Sequence, residues 1–167
     1  MTSHVVHLGD CLGPEGLATL PDLTVGTAAE HLVCADLLLG GHKAFLASQV
    51  CPYDVAVDAG SRLIRIQVKA TRGPRILPQR RGKFPAYMWS VRRAGKGGKR
   101  VYAAGEFDML ALVALDTKRI AYLPPSEHRQ TIHIRTHDNS GPTWKQGSPG
   151  RTFAQFPFSR ALTEVMP

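Results

Sequence analysis

The apolar positions between residues 25 and 37 recur about every three to four residues, which predicts one amphipathic helix. Thr24 is the expected N-cap, and the pair Gly40-Gly41 is expected to end the helix. Residues 1–22 contain glycine and proline but few periodic apolar positions, so we expect an irregular N-terminal arm. The apolar positions of the helix are Val25, Ala28, Ala29, Leu32, Val33 and Leu37.

After this helix the sequence changes to the alternation that is typical of β-strands. Residues 42–50 and 53–59 are predicted as two strands, and Ala59-Gly60-Ser61 as the tight turn that leads to a third strand over residues 62–70. In the third strand the apolar and polar residues alternate, so the two sets point to opposite faces of the sheet. The apolar set is Ile64, Ile66 and Val68, and the polar set is Arg65, Gln67 and Lys69.

The rest of the chain is predicted to complete a mixed sheet and to end in a helix. The predicted elements are a loop over 71–85, a strand over 86–93, a basic turn over 95–99, two buried strands of a hairpin over 108–116 and 119–123, a loop over 137–151 that we expect to be mobile, and a short helix within 152–165. They predict a single α+β domain over residues 1–167, with a mixed central β-sheet flanked by helices. Its core is expected over about residues 24–125, after an arm over residues 1–23.

Composition narrows the class of protein. The chain has 167 residues, of which 43% are hydrophobic, enough for one domain with a buried core. The longest apolar run, over residues 109–115, is far shorter than the roughly 20 residues that span a bilayer. Three cysteines without metal-ligand spacing fit a reducing compartment better than a disulfide framework. We therefore expect an intracellular, cytoplasmic protein without a signal peptide or a membrane partner.

The net charge of +8 is unevenly distributed along the chain. Residues 1–58 carry a charge of −6, whereas the stretch between Asp58 and Glu106 has no acid and a charge of +13. So strong a field of one sign attracts polyanions, which predicts binding to nucleic acid. A solvated basic face is the alternative, and charge does not distinguish DNA from RNA. The candidate DNA-binding residues are Arg72, Arg75, Arg80, Arg81, Lys83, Arg92, Arg93, Lys96, Lys99 and Arg100.

Polar residues are also expected to meet at one end of the predicted hairpin. With a turn centred near residue 60 or 61, Asp54 opposes residue 66, 67 or 68, next to Gln67 and Lys69. Glu30 lies among apolar residues of the helix, an unusual place for an acid unless it faces a cation. Carboxylates and a substrate phosphate complete the ligand shell of Mg²⁺, and a neighbouring lysine can assist the attacking water. This set predicts metal-dependent hydrolysis of a phosphodiester.

The order of these residues resembles the PD-(D/E)XK nuclease superfamily, and in particular its branch of small endonucleases that includes group I intron homing endonucleases. Archaeal-type Holliday junction resolvases share the same core. The resemblance covers about residues 24–125. The segments that carry it are Gly26–Glu30, Tyr53–Asp58, Arg65–Ala70, Glu106–Val113 and Ile120–Pro124.

The resemblance implies an α/β/α restriction-endonuclease-like core and a role for each residue of the site. Asp54 and Glu30 would hold Mg²⁺, or Mn²⁺ in its place, and Lys69 would assist the attacking water. Gln67 and the carbonyl of Val68 would complete or orient the ligand shell. The resemblance also implies a homodimer or homotetramer, because one site per chain needs two copies to cut two strands.

Two departures from the family pattern leave alternatives open. Tyr53 separates Pro52 from Asp54, so the literal Pro-Asp pair is absent. Gln67 stands where the superfamily usually has an acid, and a neutral amide is a weaker Mg²⁺ ligand. The first hypothesis is a DNA endonuclease, either homing or restriction-like or specific for four-way junctions. The second is a catalytically inactive DNA-binding module on the same fold, and a role in RNA processing is a third.

Overall fold

The computed structural model describes residues 14–76, 85–92, 102–136 and 150–166. Its helices are α1 (Pro14–Thr19), α2 (Asp22–Leu39) and α3 (Phe158–Val165), with 3₁₀ turns at Pro125–Glu127 and Phe153–Gln155. Its strands are β1 (Lys43–Leu46), β2 (Val55–Asp58), β3 (Leu63–Thr71), β4 (Arg75–Ile76), β5 (Pro85–Ser90), β6 (Met109–Ala114), β7 (Arg119–Leu123) and β8 (Thr131–Arg135). None of the helices in this part of the chain is long and apolar enough to span a bilayer.

Five strands form the central sheet, in the order β1-β2-β3-β6-β7. The β2–β3 hairpin turns at Gly60, whose φ of +82° favours glycine because a side chain is strained there. Strand β3 pairs antiparallel with β2 and parallel with β6, and β6 pairs antiparallel with β7. The predicted mixed central sheet and α+β class are therefore confirmed.

The two faces of this sheet are covered by different layers. Helices α2 and α3 pack on one face, where Ile64, Ile66 and Val68 of β3 lie in what we call the helix-side core. On the other face, the described residues form a three-stranded sheet, β4-β5-β8, which the sequence did not predict. Its apolar side chains pack with residues of β6 and β7 in what we call the sheet-side core, and Tyr87 and Trp89 are its largest members.

The N-terminal part of the chain differs from the sequence prediction. Residues 14–19 form α1 instead of an irregular arm, with Pro14 at the first helical position, where its missing N–H costs nothing. Helix α2 begins at Asp22, so the predicted N-cap at Thr24 is wrong. Pro21 is the cap, and the negative charge of Asp22 lies in the first turn, where it is favourable. The predicted end at Gly40 is confirmed.

Two of the later elements differ from the prediction, and the others agree with it in type. The predicted loop over 71–85 contains the short strand β4, and β5 was expected in the central sheet but pairs with β4 and β8. The hairpin of β6 and β7 and the C-terminal helix α3 are confirmed. Two predicted segments lie outside the described residues, namely the basic turn over 95–99 and most of the loop over 137–151. The expected mobility of that loop therefore stays a prediction.

Candidate active site

Asp54 lies immediately before β2, at the end of the β2–β3 hairpin remote from its turn. The register pairs Val55 with Ile66, and one further step places Asp54 opposite Gln67, within the range that the sequence predicted. The backbone N–H of Asp54 donates to the carbonyl of Ile66 at 2.9 Å, which fixes this end of the hairpin. Asp58, by contrast, is exposed near the turn and accepts a hydrogen bond from the N–H of Gly60.

The carboxylate of Asp54 is held by groups of β3. Its Oδ2 accepts hydrogen bonds from the side-chain amide of Gln67 and, at 2.7 Å, from the backbone N–H of Val68. Gln67 is only 7% exposed, and its amide nitrogen also lies 3.4 Å from the carbonyl oxygen of Val68. These two hydrogen bonds from strand β3 therefore fix the orientation of the Asp54 carboxylate.

Glu30 reaches the same site from helix α2. Its neighbour Ala29 is fully buried in the helix-side core, whereas Glu30 itself is half-buried. Burial raises the pKa of Glu30, the negative charge of Asp54 raises it further, and the positive charges of His31 and Lys69 lower it. These interactions place Glu30 within electrostatic range of both Asp54 and Lys69.

Lys69 lies two residues after Gln67 on the same face of β3. Its ammonium nitrogen lies 5.0 Å from the centroid of the Tyr102 ring, a cation–π distance. Tyr102 was not predicted as part of the site, because no local pattern connects a tyrosine at this position with a lysine 33 residues earlier.

An ion-pair cluster at the start of β3 was also missed. Arg65 donates from Nε and Nη2 to the two carboxylate oxygens of Asp108, both at 3.0 Å, and Arg62 donates to the same carboxylate at 2.9 Å. Burial raises the pKa of Asp108, but hydrogen bonds from Arg65 and the charges of both arginines hold it below its usual value. The sequence could have indicated this ion pair, because Asp108 directly precedes a buried apolar run and Arg65 shares a face of β3 with Gln67 and Lys69.

Three of the candidate DNA-binding residues lie in the described part of the chain. Arg75 and Arg92 are exposed, and Arg92 donates to the side chain of Gln130 at 2.9 Å. Arg72 instead donates to the carbonyls of Leu17 and Leu20 and to Asp22. Its guanidinium therefore ties α1 and the start of α2 to the end of β3. The candidates Arg80, Arg81, Lys83, Arg93, Lys96, Lys99 and Arg100 lie outside the described residues.

The donor set at this site fits a hard divalent cation. Two carboxylates, those of Glu30 and Asp54, repel each other, and a cation between them would relieve that repulsion. No group of three or more His, Cys, Asp or Glu side chains with metal-site geometry occurs among the described residues. Gln67 supplies an amide oxygen, which a 180° flip of its side chain would present in place of the nitrogen.

Comparison with known proteins relates the chain to an endonuclease family and to a solved structure. A model of the family described as PD-(D/E)XK endonuclease matches residues 23–146, which include every proposed residue of this site. The fold is similar to that of the bacterial homing endonuclease I-Ssp6803I, with a TM-score of 0.58 and 14% sequence identity, over 84% of this chain and 91% of the other. No curated protein matches the chain.

Proposed function

The chain belongs to the PD-(D/E)XK endonuclease family, and on that basis we propose that it is a divalent-metal-dependent DNA endonuclease. The observation that carries this proposal is the register that sets Asp54 opposite Gln67, with Asp54 and Lys69 both in electrostatic range of Glu30. The proposed cofactor is Mg²⁺, with Mn²⁺ able to replace it. The proposed ligands are Asp54, Glu30, the side-chain oxygen of Gln67 and the carbonyl of Val68.

Each residue of the proposed site has a distinct role in catalysis. The backbone N–H of Val68 fixes the carboxylate of Asp54, so this ligand needs little reorganisation when a cation arrives. Glu30 adds the second negative charge that the neutral Gln67 does not provide. When bound, the cation polarises the scissile phosphate and lowers the pKa of a coordinated water. Lys69 donates hydrogen bonds to the attacking water or to a phosphate oxygen and balances the negative charge that accumulates there.

The DNA surface is proposed to include the exposed Arg75 and Arg92, together with the basic residues outside the described part of the chain. Lysine and arginine contacts to phosphates release counterions, so binding should weaken steeply as salt concentration rises. We propose a homodimer or homotetramer, because two antiparallel strands need two sites related by a two-fold axis. Light scattering on the purified chain, with and without DNA, tests the oligomeric state.

The decisive experiment is incubation of the purified full chain with a linear duplex, a supercoiled plasmid and a four-way junction, each with Mg²⁺, Mn²⁺ or EDTA. We expect cleavage with either cation and none with EDTA. The preferred substrate separates a homing or restriction-like enzyme from a junction-resolving enzyme. The same assay on RNA tests the role in RNA processing.

Matched variants locate the site. Asp54→Asn and Lys69→Met should abolish cleavage while the protein stays folded. Asp58→Asn, on the same hairpin, and Lys43→Met, on the exposed edge strand β1, should cut at the wild-type rate. Unchanged cleavage in both Asp54→Asn and Lys69→Met would overturn the assignment of the site.

The alternative function is a DNA-binding module without catalysis, and the neutral Gln67 is the observation that favours it. This alternative predicts salt-sensitive binding of DNA with no product under any of the metal conditions. Such a result would overturn the endonuclease proposal and leave the DNA-binding surface in place.

A further inference from the structure

Lys69, a proposed catalytic residue, contacts the aromatic ring of Tyr102. The ammonium nitrogen of Lys69 lies 5.0 Å from the centre of the Tyr102 ring. We propose that Tyr102 is a positioning residue, which holds the ammonium group of Lys69 in its working place through a cation–π contact. This inference rests on the proposed function, because it assigns the task of Tyr102 through Lys69.

Tyr102 is also held by packing against other aromatic and apolar residues. Its ring meets Phe107 edge to face, with centroids 5.0 Å apart and planes at 86°, and Phe107 in turn lies 5.4 Å from the ring of His128. Both Tyr102 and Phe107 pack against the sheet-side core. Aromatic pairs in this arrangement are attractive, so the ring face of Tyr102 is held in a defined orientation.

The segment that carries Tyr102 is also anchored to strand β3. Arg65 donates to the carbonyl of Gly105 at 2.7 Å and makes its paired hydrogen bonds to Asp108. Gly105 has a φ of +83°, which allows the chain to turn sharply at this point. Arg65 and Lys69 lie on one face of β3, so the same strand supplies the lysine and the anchor of the segment whose tyrosine contacts it.

This arrangement has a physical consequence for the lysine. A lysine side chain has four rotatable bonds, and ordering it at a reaction centre costs conformational entropy. A ring face that is already in place removes part of that cost before DNA binds. We therefore expect Tyr102 to affect the rate of the chemical step and not the affinity for DNA.

The test compares Tyr102→Leu, which removes the ring face, with Tyr102→Phe and Tyr102→Trp, which keep one. Single-turnover cleavage at saturating DNA should slow about 3- to 30-fold in Tyr102→Leu, the range that follows from the strength of a cation–π contact, and stay within about twofold in Tyr102→Phe and Tyr102→Trp. The dissociation constant for DNA in EDTA should not change in any of them. Equal rates in Tyr102→Leu and Tyr102→Phe would overturn the proposal.

A second measurement needs neither metal nor cleavage. In the metal-free protein, the ring current of Tyr102 should shift the NMR signals of the Lys69 ε-methylene protons upfield. The shift should persist in Tyr102→Phe and disappear in Tyr102→Leu or, if that variant does not fold, in Tyr102→Met. Absence of the shift in the wild-type protein would overturn the contact. If the wild-type chain cuts no substrate, the proposed function fails, and this shift still decides the contact by itself.

Discussion

The side-chain amide of Gln67 donates a hydrogen bond to Oδ2 of Asp54 across the β2–β3 pair. The same oxygen accepts a hydrogen bond from the backbone N–H of Val68. A neutral donor at position 67 therefore compensates the charge of Asp54 in the absence of a cation. An acid at this position, as the superfamily usually has, would face Asp54 with a second negative charge. We therefore expect the identity of residue 67 to affect both the stability of the metal-free protein and its affinity for a metal.

Gln67→Glu should destabilise the metal-free protein by about 1–3 kcal/mol, because a buried hydrogen bond to a charged acceptor is replaced by repulsion. Mg²⁺ should reverse the loss, since the added carboxylate is a stronger ligand. Urea unfolding with EDTA and with Mg²⁺ measures both effects. Gln49→Glu adds the same charge at an exposed position and is the control. Equal losses with and without Mg²⁺ would contradict this view of position 67.

Glu30→Gln should have opposite effects on stability and on metal binding. Burial and the charge of Asp54 both raise the pKa of Glu30, so its ionised form is unfavourable in the metal-free protein. Removal of that charge should raise the melting temperature of the metal-free protein by about 1–3 °C and reduce the additional rise that Mg²⁺ produces. Thermal unfolding with and without Mg²⁺ checks this, with Glu15→Gln on α1 as the exposed control. A Mg²⁺-induced rise as large as that of the wild-type protein would remove Glu30 from the ligand set.

The arginines of the basic stretch should separate into two classes. Arg75→Ala and Arg92→Ala should each weaken DNA binding and reduce the slope of log K against log salt by about 1, because each loses one phosphate contact. Arg72→Ala should leave that slope unchanged and lower stability, since Arg72 donates to Leu17, Leu20 and Asp22. Titrations at several salt concentrations, with urea unfolding alongside, distinguish the two. A reduced slope in Arg72→Ala would show that this residue leaves its protein partners to contact DNA.

The ion pairs of Asp108 with Arg62 and Arg65 should make the free energy of unfolding depend on pH. The pKa of Asp108 is lowered in the folded chain, because the hydrogen bonds and charges of Arg65 and Arg62 outweigh the effect of burial. A lowered folded pKa means that the stabilisation is complete above the unfolded value of about 3.9 and is lost as the pH falls through the folded value.

Asp108→Asn should therefore cost about 1–3 kcal/mol at neutral pH, and the difference from the wild-type protein should narrow below about pH 4. Urea unfolding of both proteins across this pH range provides the measurement. Asp58→Asn, an exposed acid, should show a much smaller difference. A difference of equal size at neutral and acidic pH would mean that the ionised carboxylate contributes nothing to the cluster.

The candidate site could be predicted from sequence where its geometry is local. A strand has a period of two residues and a tight turn fixes the register of a hairpin, so the positions of Asp54, Gln67 and Lys69 follow from a few consecutive residues. Glu30 could also be singled out from the sequence, because it is an acid among the apolar residues of the predicted helix. The helix start at Thr24 was wrong because α2 begins at Asp22 without a side-chain cap, so the side-chain preference that favoured Thr24 did not decide where the helix starts.

The sequence by itself determined the α+β class and limited the partner of Asp54 across the hairpin to residue 66, 67 or 68, and the structure then set Asp54 opposite Gln67. Only the tertiary structure decided that β5 pairs with β8 in a second sheet, that Arg72 holds α1, and that Tyr102 lies against Lys69. The physical reason is the range of the interactions. Alternation and turns are properties of neighbouring residues, whereas these contacts join segments about 30 to 55 residues apart. Whether such segments meet depends on how the two cores pack.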